Sequence, residues 1–208
     1  IGEMIAEANV GHAYLAGNGD GSAAPASVNV GMLGVDYTFE NGAYRITKIV
    51  RGAAWDSDAI GPLGQQGVDV HEGDYLLAVN GIAIDAAQDP WAAMVGLGGK
   101  EVVLTVSVNP SADEESRDVI VKTVSDESNL RYRAWIEGNR KYVEEQSGGR
   151  LGYIYVPDTG VNGQNDLFRQ FYGQILKKGL ILDERWNGGG QIPTRFIELL
   201  NRPATNYW

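Results

Sequence analysis

His12 and His71 are the only imidazoles in the 208-residue sequence, and there is no cysteine. General-base chemistry near neutral pH therefore falls first to one of these two side chains. His71 stands in Val70-His71-Glu72-Gly73, a turn pattern in which a solvated imidazole is the plain expectation. His12 follows Gly11 and opens His12-Ala13-Tyr14-Leu15, read as a short strand. By residue type alone such a histidine is more often structural than catalytic. Gly163 lies in Thr159-Gly160-Val161-Asn162-Gly163-Gln164-Asn165, between an apolar run and a helix pattern. An amide there, with no Cβ in front of it, could polarise a carbonyl oxygen as part of an oxyanion hole. A turn needing positive φ explains the glycines of this segment equally well. Asp183 closes another apolar run, at the strand end where open α/β sheets hold ligands. Arg185, two residues further on, could neutralise it internally.

Acyl transfer through a nucleophile needs a base, an oxyanion donor, a substrate pocket and the nucleophile itself. The fourth has no candidate. None of the nine serines sits on a strained turn between a buried strand and a helix. Ser125, Ser128 and Ser147 fall near helix ends or turns, where capping is their natural role.

Composition removes several other classes. The absence of cysteine excludes disulfides, thiolate nucleophiles and thiolate metal sites, and leaves the redox compartment open. A formal net charge of −10 offers no basic stripe for nucleic acid or for an anionic membrane surface. No apolar run approaches the roughly 18 residues of a membrane span. Gly17-Asn18-Gly19-Asp20-Gly21-Ser22 has too few carboxylates for a calcium loop and reads as a flexible connection. Asn187-Gly188-Gly189-Gly190 lacks the Gly-Lys-Ser/Thr of a P-loop and reads as a sharp strand-to-helix turn. No metal site or cofactor is implied.

The elements around these residues fall into three stretches. Ile1 to Ala8 places Ile1, Met4, Ile5 and Ala8 on one helical face. From about Val30 to Val124, short strands alternate with glycine-rich turns: Gly31 to Tyr37, Ala43 to Val50, Gly73 to Gly81, Val102 to Val108 and Asp118 to Val124. Asn80-Gly81 is a tight-turn signal, and Asp89-Pro90 opens a short helix to Gly96. That set of elements predicts a small, mostly antiparallel β domain. After Ser125 the pattern changes. Leu130 to Glu145 reads as a helix presenting Tyr132, Trp135, Ile136, Tyr142 and Val143, and Ser147-Gly148-Gly149 ends it. A strand over 151–156, a helix over 166–176, a strand over 180–182 and a helix carrying Ile192, Phe196, Leu199 and Leu200 predict the opening of a parallel sheet. The expected class is thus α+β to α/β, with segments 1–28, 29–125 and 126–208.

Gly31-Met32-Leu33-Gly34-Val35-Asp36 and Gly73-Asp74-Tyr75-Leu76-Leu77-Ala78-Val79-Asn80-Gly81 resemble a PDZ domain. The resemblance implies that an extended peptide adds as a strand to a sheet edge. The loop at Leu33 and Gly34 would then hold a peptide carboxylate on its backbone N–H groups. Arg131-Tyr132-Arg133-Ala134-Trp135, Gly152 to Asp158, and Gly179 to Gly190 resemble, in this order and spacing, the Tricorn protease branch of the carboxyl-terminal processing peptidases. That likeness covers essentially the whole chain.

The family likeness implies a serine endopeptidase acting on oligopeptides, with a crotonase-like catalytic domain beginning after the PDZ domain. His12 becomes the base, Gly163 an oxyanion donor and Asp183 the selector of basic residues before the cleaved bond. Gly11 stands where the family often has serine. The likeness further implies that nucleophile and acidic relay residue follow Trp208, so this stretch alone is expected to be inactive. A hexameric homo-oligomer and a cytoplasmic location are also implied, with export left open. Two other functions compete: a peptide-binding PDZ module beside a scaffold α/β segment, and a crotonase-like enzyme acting on acyl thioesters.

Overall fold

The computed structural model describes residues 2–9, 11, 27–52, 60–191 and 193–201. His12 and the glycine-rich segment 17–22 lie outside the described residues. The first element is a short helix, α1 (Gly2–Ala6), inside the longer one expected.

Six strands then form one sheet: β1 (Val35–Glu40), β2 (Ala43–Ile49), β3 (Tyr75–Val79), β4 (Ile82–Ala83), β5 (Glu101–Ser107) and β6 (Arg117–Lys122). Their order is β1-β2-β3-β5-β6, with β4 paired to β3, and every pairing is antiparallel. Alternation explains the assembly. Val102, Leu104 and Val106 of β5 and Val119 and Val121 of β6 are buried, whereas Ile120 between the last two is 70% exposed. These side chains join Leu33, Ile46, Leu63, Leu76 and Met94 in one core. Asn80 and Gly81 both take positive φ, 52° and 77°, as the tight turn from β3 into β4 requires.

β1 begins at Val35, later than the expected strand. The residues before it make isolated bridges instead, Val30 to Val95 and Met32 to Val124. The first ties the loop to a 3-10 turn, Pro90–Met94, whose Asp89 accepts a hydrogen bond from the Trp91 amide. The second brings the chain leaving β6 beside the loop that precedes β1.

The segment after β6 opens with α2 (Ser128–Gln146), then β7 (Leu151–Tyr155), α3 (Val161–Tyr172), β8 (Gly179–Asp183) and α4 (Pro193–Leu200). β7 and β8 pair in parallel, from Leu151 opposite Gly179 to Tyr155 opposite Asp183, with α3 as the crossover. Ile154, Val156, Leu167, Phe196 and Leu199 form a second core between this small sheet and α3 and α4. On the other face α2 covers β7 through Ile136, Tyr153 and Tyr155, with Tyr132, Trp135 and Val143 packed around them. Tyr142 departs from the expected face and is 64% exposed. α3 starts five residues earlier than its apolar spacing suggests, and it stops before Ile175 and Leu176, which are exposed.

Candidate functional site: the groove beside β1

Among the described residues β1 is an edge strand, paired on one side with β2. Beside it, between the loop Gly31–Gly34 and the turn Pro90–Met94, lies a groove of about 450 Å³, lined among others by Met32, Tyr37, Tyr44, Pro90 and Trp91. Trp91 meets the Tyr37 ring edge-on at 5.4 Å, and Tyr44 does so at 6.3 Å. The Tyr37 hydroxyl is buried and has no hydrogen-bond partner among the described residues. Burial holds its pKa well above the ordinary tyrosine value, and the nearby Glu127 carboxylate pushes in the same direction.

Leu33 and Gly34 lie in the chain between Met32 and Val35, which line this groove together with Glu127 and Arg131. The Leu33 side chain is fully buried in the core. Gly34 has φ +69°, and a Cβ there would come within 2.6 Å of Leu130 Cδ2. That close approach from α2 is why glycine is needed. The Gly34 amide donates to Glu127 Oε2 at 2.8 Å. Arg131, four residues further along α2, donates to Glu127 Oε1 at 2.5 Å, to Asp36 Oδ1 at 2.8 Å and to the Val35 carbonyl at 2.9 Å. Neither Glu127 nor Arg131 stands out in the sequence, where they look like an ordinary i, i+4 ion pair on a helix surface. Glu127 occupies a helix N-cap position, which favours Ser, Thr, Asp or Asn, and its side chain makes no capping bond.

The α/β segment holds the other sequence candidates. Asp183 ends β8 and is only 8% exposed. Arg185 donates to both of its carboxylate oxygens, and the Tyr153 hydroxyl donates to Oδ2 at 2.6 Å. Those bonds, Arg185 first, hold the Asp183 pKa far below the usual carboxylate range despite burial. Burial and the Asp183 contact push the Tyr153 hydroxyl up to about 12. Arg185 is also stacked within 5.0 Å of the Trp135 ring centroid and 5.9 Å of Trp186. Internal pairing of Asp183 by Arg185, one of the two expectations, is what the geometry displays.

Gly163 is buried in the first turn of α3 rather than ahead of it. Its amide donates to Asp158 Oδ1 at 3.0 Å, and the same oxygen accepts from the Gly160 amide at 2.8 Å. A Cβ on Gly163 would lie 1.8 Å from the Asp158 carbonyl oxygen. The turn Asn187 to Gly190 packs against this corner, with the Thr159 amide bonded to the Gly189 carbonyl at 2.9 Å. His71 sits on its turn with a side chain 66% exposed, 3.5 Å from Asp69 Oδ1. Among the described residues no group of three or more His, Asp or Glu side chains could hold a metal ion.

Residues 31–126 match the family model of the Tricorn protease PDZ domain. The chain is 40% identical over 204 residues to Tricorn protease homolog 1 of Streptomyces coelicolor, covering 96% of this chain and 18% of that protein. It is 33% identical over 177 residues to the Tricorn protease of Thermoplasma volcanium, covering 85% of this chain and 17% of that one. A crystal structure of the tricorn protease superposes with a TM-score of 0.76 at 28% identity, over 86% of this chain and 17% of that chain. The chain therefore spans less than a fifth of the length of either of these two curated relatives. By sequence and by fold, it is homologous to the region of Tricorn proteases that contains their PDZ domain.

Proposed function

We propose that this chain supplies a peptide-holding PDZ module to a Tricorn-type serine peptidase, within boundaries near 29 and 125. An extended peptide ending in a free carboxylate adds as a strand along the outer side of β1, its apolar side chains facing Trp91 and Tyr37. The observation that carries this is the edge position of β1 beside a groove of about 450 Å³. The test is amide hydrogen exchange across residues 35–40 of the 208-residue chain, with and without such a peptide. Added peptide is expected to slow exchange in β1; exchange unchanged at saturating peptide rejects the module.

Peptidase roles for His12, Gly163 and Asp183 belong to the complete protein and rest on family resemblance. What favours the roles of Gly163 and Asp183 is position: Asp183 and the start of α3 both lie at the carboxyl ends of parallel strands, the edge at which α/β enzymes bind ligands. Against an open specificity pocket stands the Arg185 pair, which a basic substrate side chain would have to displace. In the complete enzyme the family likeness further suggests a cytoplasmic hexamer.

A further inference from the structure

The geometry points to Glu127 as a built-in plug of the peptide-carboxylate seat: the start of α2 imitates a bound peptide end, and a real one binds by displacing it. This inference rests on the peptide-binding role proposed for the groove.

Three contacts make the imitation. The Glu127 carboxylate takes the Gly34 amide, next to groove-lining Val35. Leu130, 6% exposed, lies over Gly34 and Gly61 as an apolar terminal side chain would. Arg131 donates to the carbonyl of Val35, the first residue of the edge strand, where an incoming backbone N–H would otherwise donate. The side chain of Glu127 is 14% exposed, so this is a partly desolvated carboxylate, held by a charge-assisted bond from Arg131.

The i, i+4 pair with Arg131 accounts for Glu127 Oε1, but local helix chemistry does not account for Oε2 on the Gly34 amide. Glu127 leaves its capping role undone, and Asp126 takes it over by accepting from the Ser128 amide at 2.8 Å. The antiparallel bridge between Met32 and Val124 fixes the separation, so that a residue three positions past Val124 reaches an amide two positions past Met32. A seat that accepts a carboxylate from within has the chemistry to accept one from outside. The partner it fits is therefore a peptide with a free α-carboxylate and an apolar last residue.

The experiment measures fluorescence anisotropy of a labelled peptide ending in leucine, as free acid and as C-terminal amide, on the 208-residue chain. Glu127→Ala is expected to tighten binding of the free acid by about tenfold, equivalent to ~1.4 kcal/mol, and to leave the amide unchanged. Glu127→Gln, which keeps the shape of the side chain, is expected to give a smaller gain in the same direction and guards against misfolding of the alanine variant. The Gly34 amide resonance should move in both variants before any peptide is added. Equal affinity of wild type and both variants for the free acid overturns the plug while leaving the peptide site standing. A peptide that binds none of the three proteins overturns both.

Discussion

The Tyr153 hydroxyl donates to the Asp183 carboxylate at 2.6 Å, and both residues are more than nine-tenths buried. The bond runs diagonally across the pair, from Tyr153, two residues before the end of β7, to Asp183, which ends β8 opposite Tyr155. Arg185 closes it from the solvent side.

Asp183→Asn is expected to lower stability by about 1–3 kcal/mol at neutral pH, because a buried hydrogen-bonded charge is lost. The folded-state pKa of Asp183 is depressed. Its contribution is complete above the unfolded aspartate pKa of about 3.9 and fades as pH falls below that value toward the folded one. Urea melts between pH 2 and 7 should show the two proteins converging at the acid end. A gap that stays constant with pH contradicts the assignment.

Tyr153 works in the opposite direction. Its folded-state pKa is raised to about 12, so the stability it contributes is intact below the unfolded value near 10 and is lost as pH climbs through 12. Wild type should lose more stability between pH 10 and 12 than Tyr153→Phe does. Thermal melts across that interval measure the difference directly.

Gly163→Ala sets helix propensity against packing. In an ordinary helix alanine is favoured over glycine by roughly 0.8–1.0 kcal/mol. Here the added Cβ would meet the Asp158 carbonyl oxygen at 1.8 Å, and backbone cannot swing aside as a side chain can. A net destabilisation of about 1–3 kcal/mol is expected, as for other overpacked sites. Equilibrium urea unfolding reads the sign, and a stabilised variant would show that the corner at Asp158 relaxes freely.

In the complete protein His12→Ala is expected to reduce kcat by a factor on the order of 10⁶, as loss of a base histidine does. Steady-state turnover of a peptide with a basic residue before the scissile bond checks it. Retained turnover would assign the proton transfer elsewhere.

In the PDZ sheet β5 and β6 were readable because their buried positions alternate, and Asn80-Gly81 announces its own turn. The start of α3 was not. Its first turn is Val161-Asn162-Gly163, with Val161 64% exposed, so no apolar stripe begins until Leu167. The helix starts there because Asp158 collects its free amides, a bond the residue spacing does not reveal. Asp183 was readable as a strand-end carboxylate, and its pairing with Arg185 as one of two outcomes. The role of Glu127 was out of reach. Its partner, Gly34, is 93 residues away, and only the folded path through Met32 and Val124 brings them together.

Helix α2 has 19 residues, a rod of roughly 28 Å. Its first turn is anchored on the PDZ loop through Leu130, and its middle lies on β7 through Ile136. A guest that evicts the first turn must do work on the same rod that roofs Tyr153 and Tyr155. Thermodynamic reciprocity then demands the converse: whatever steadies that roof changes the guest's affinity by the same factor.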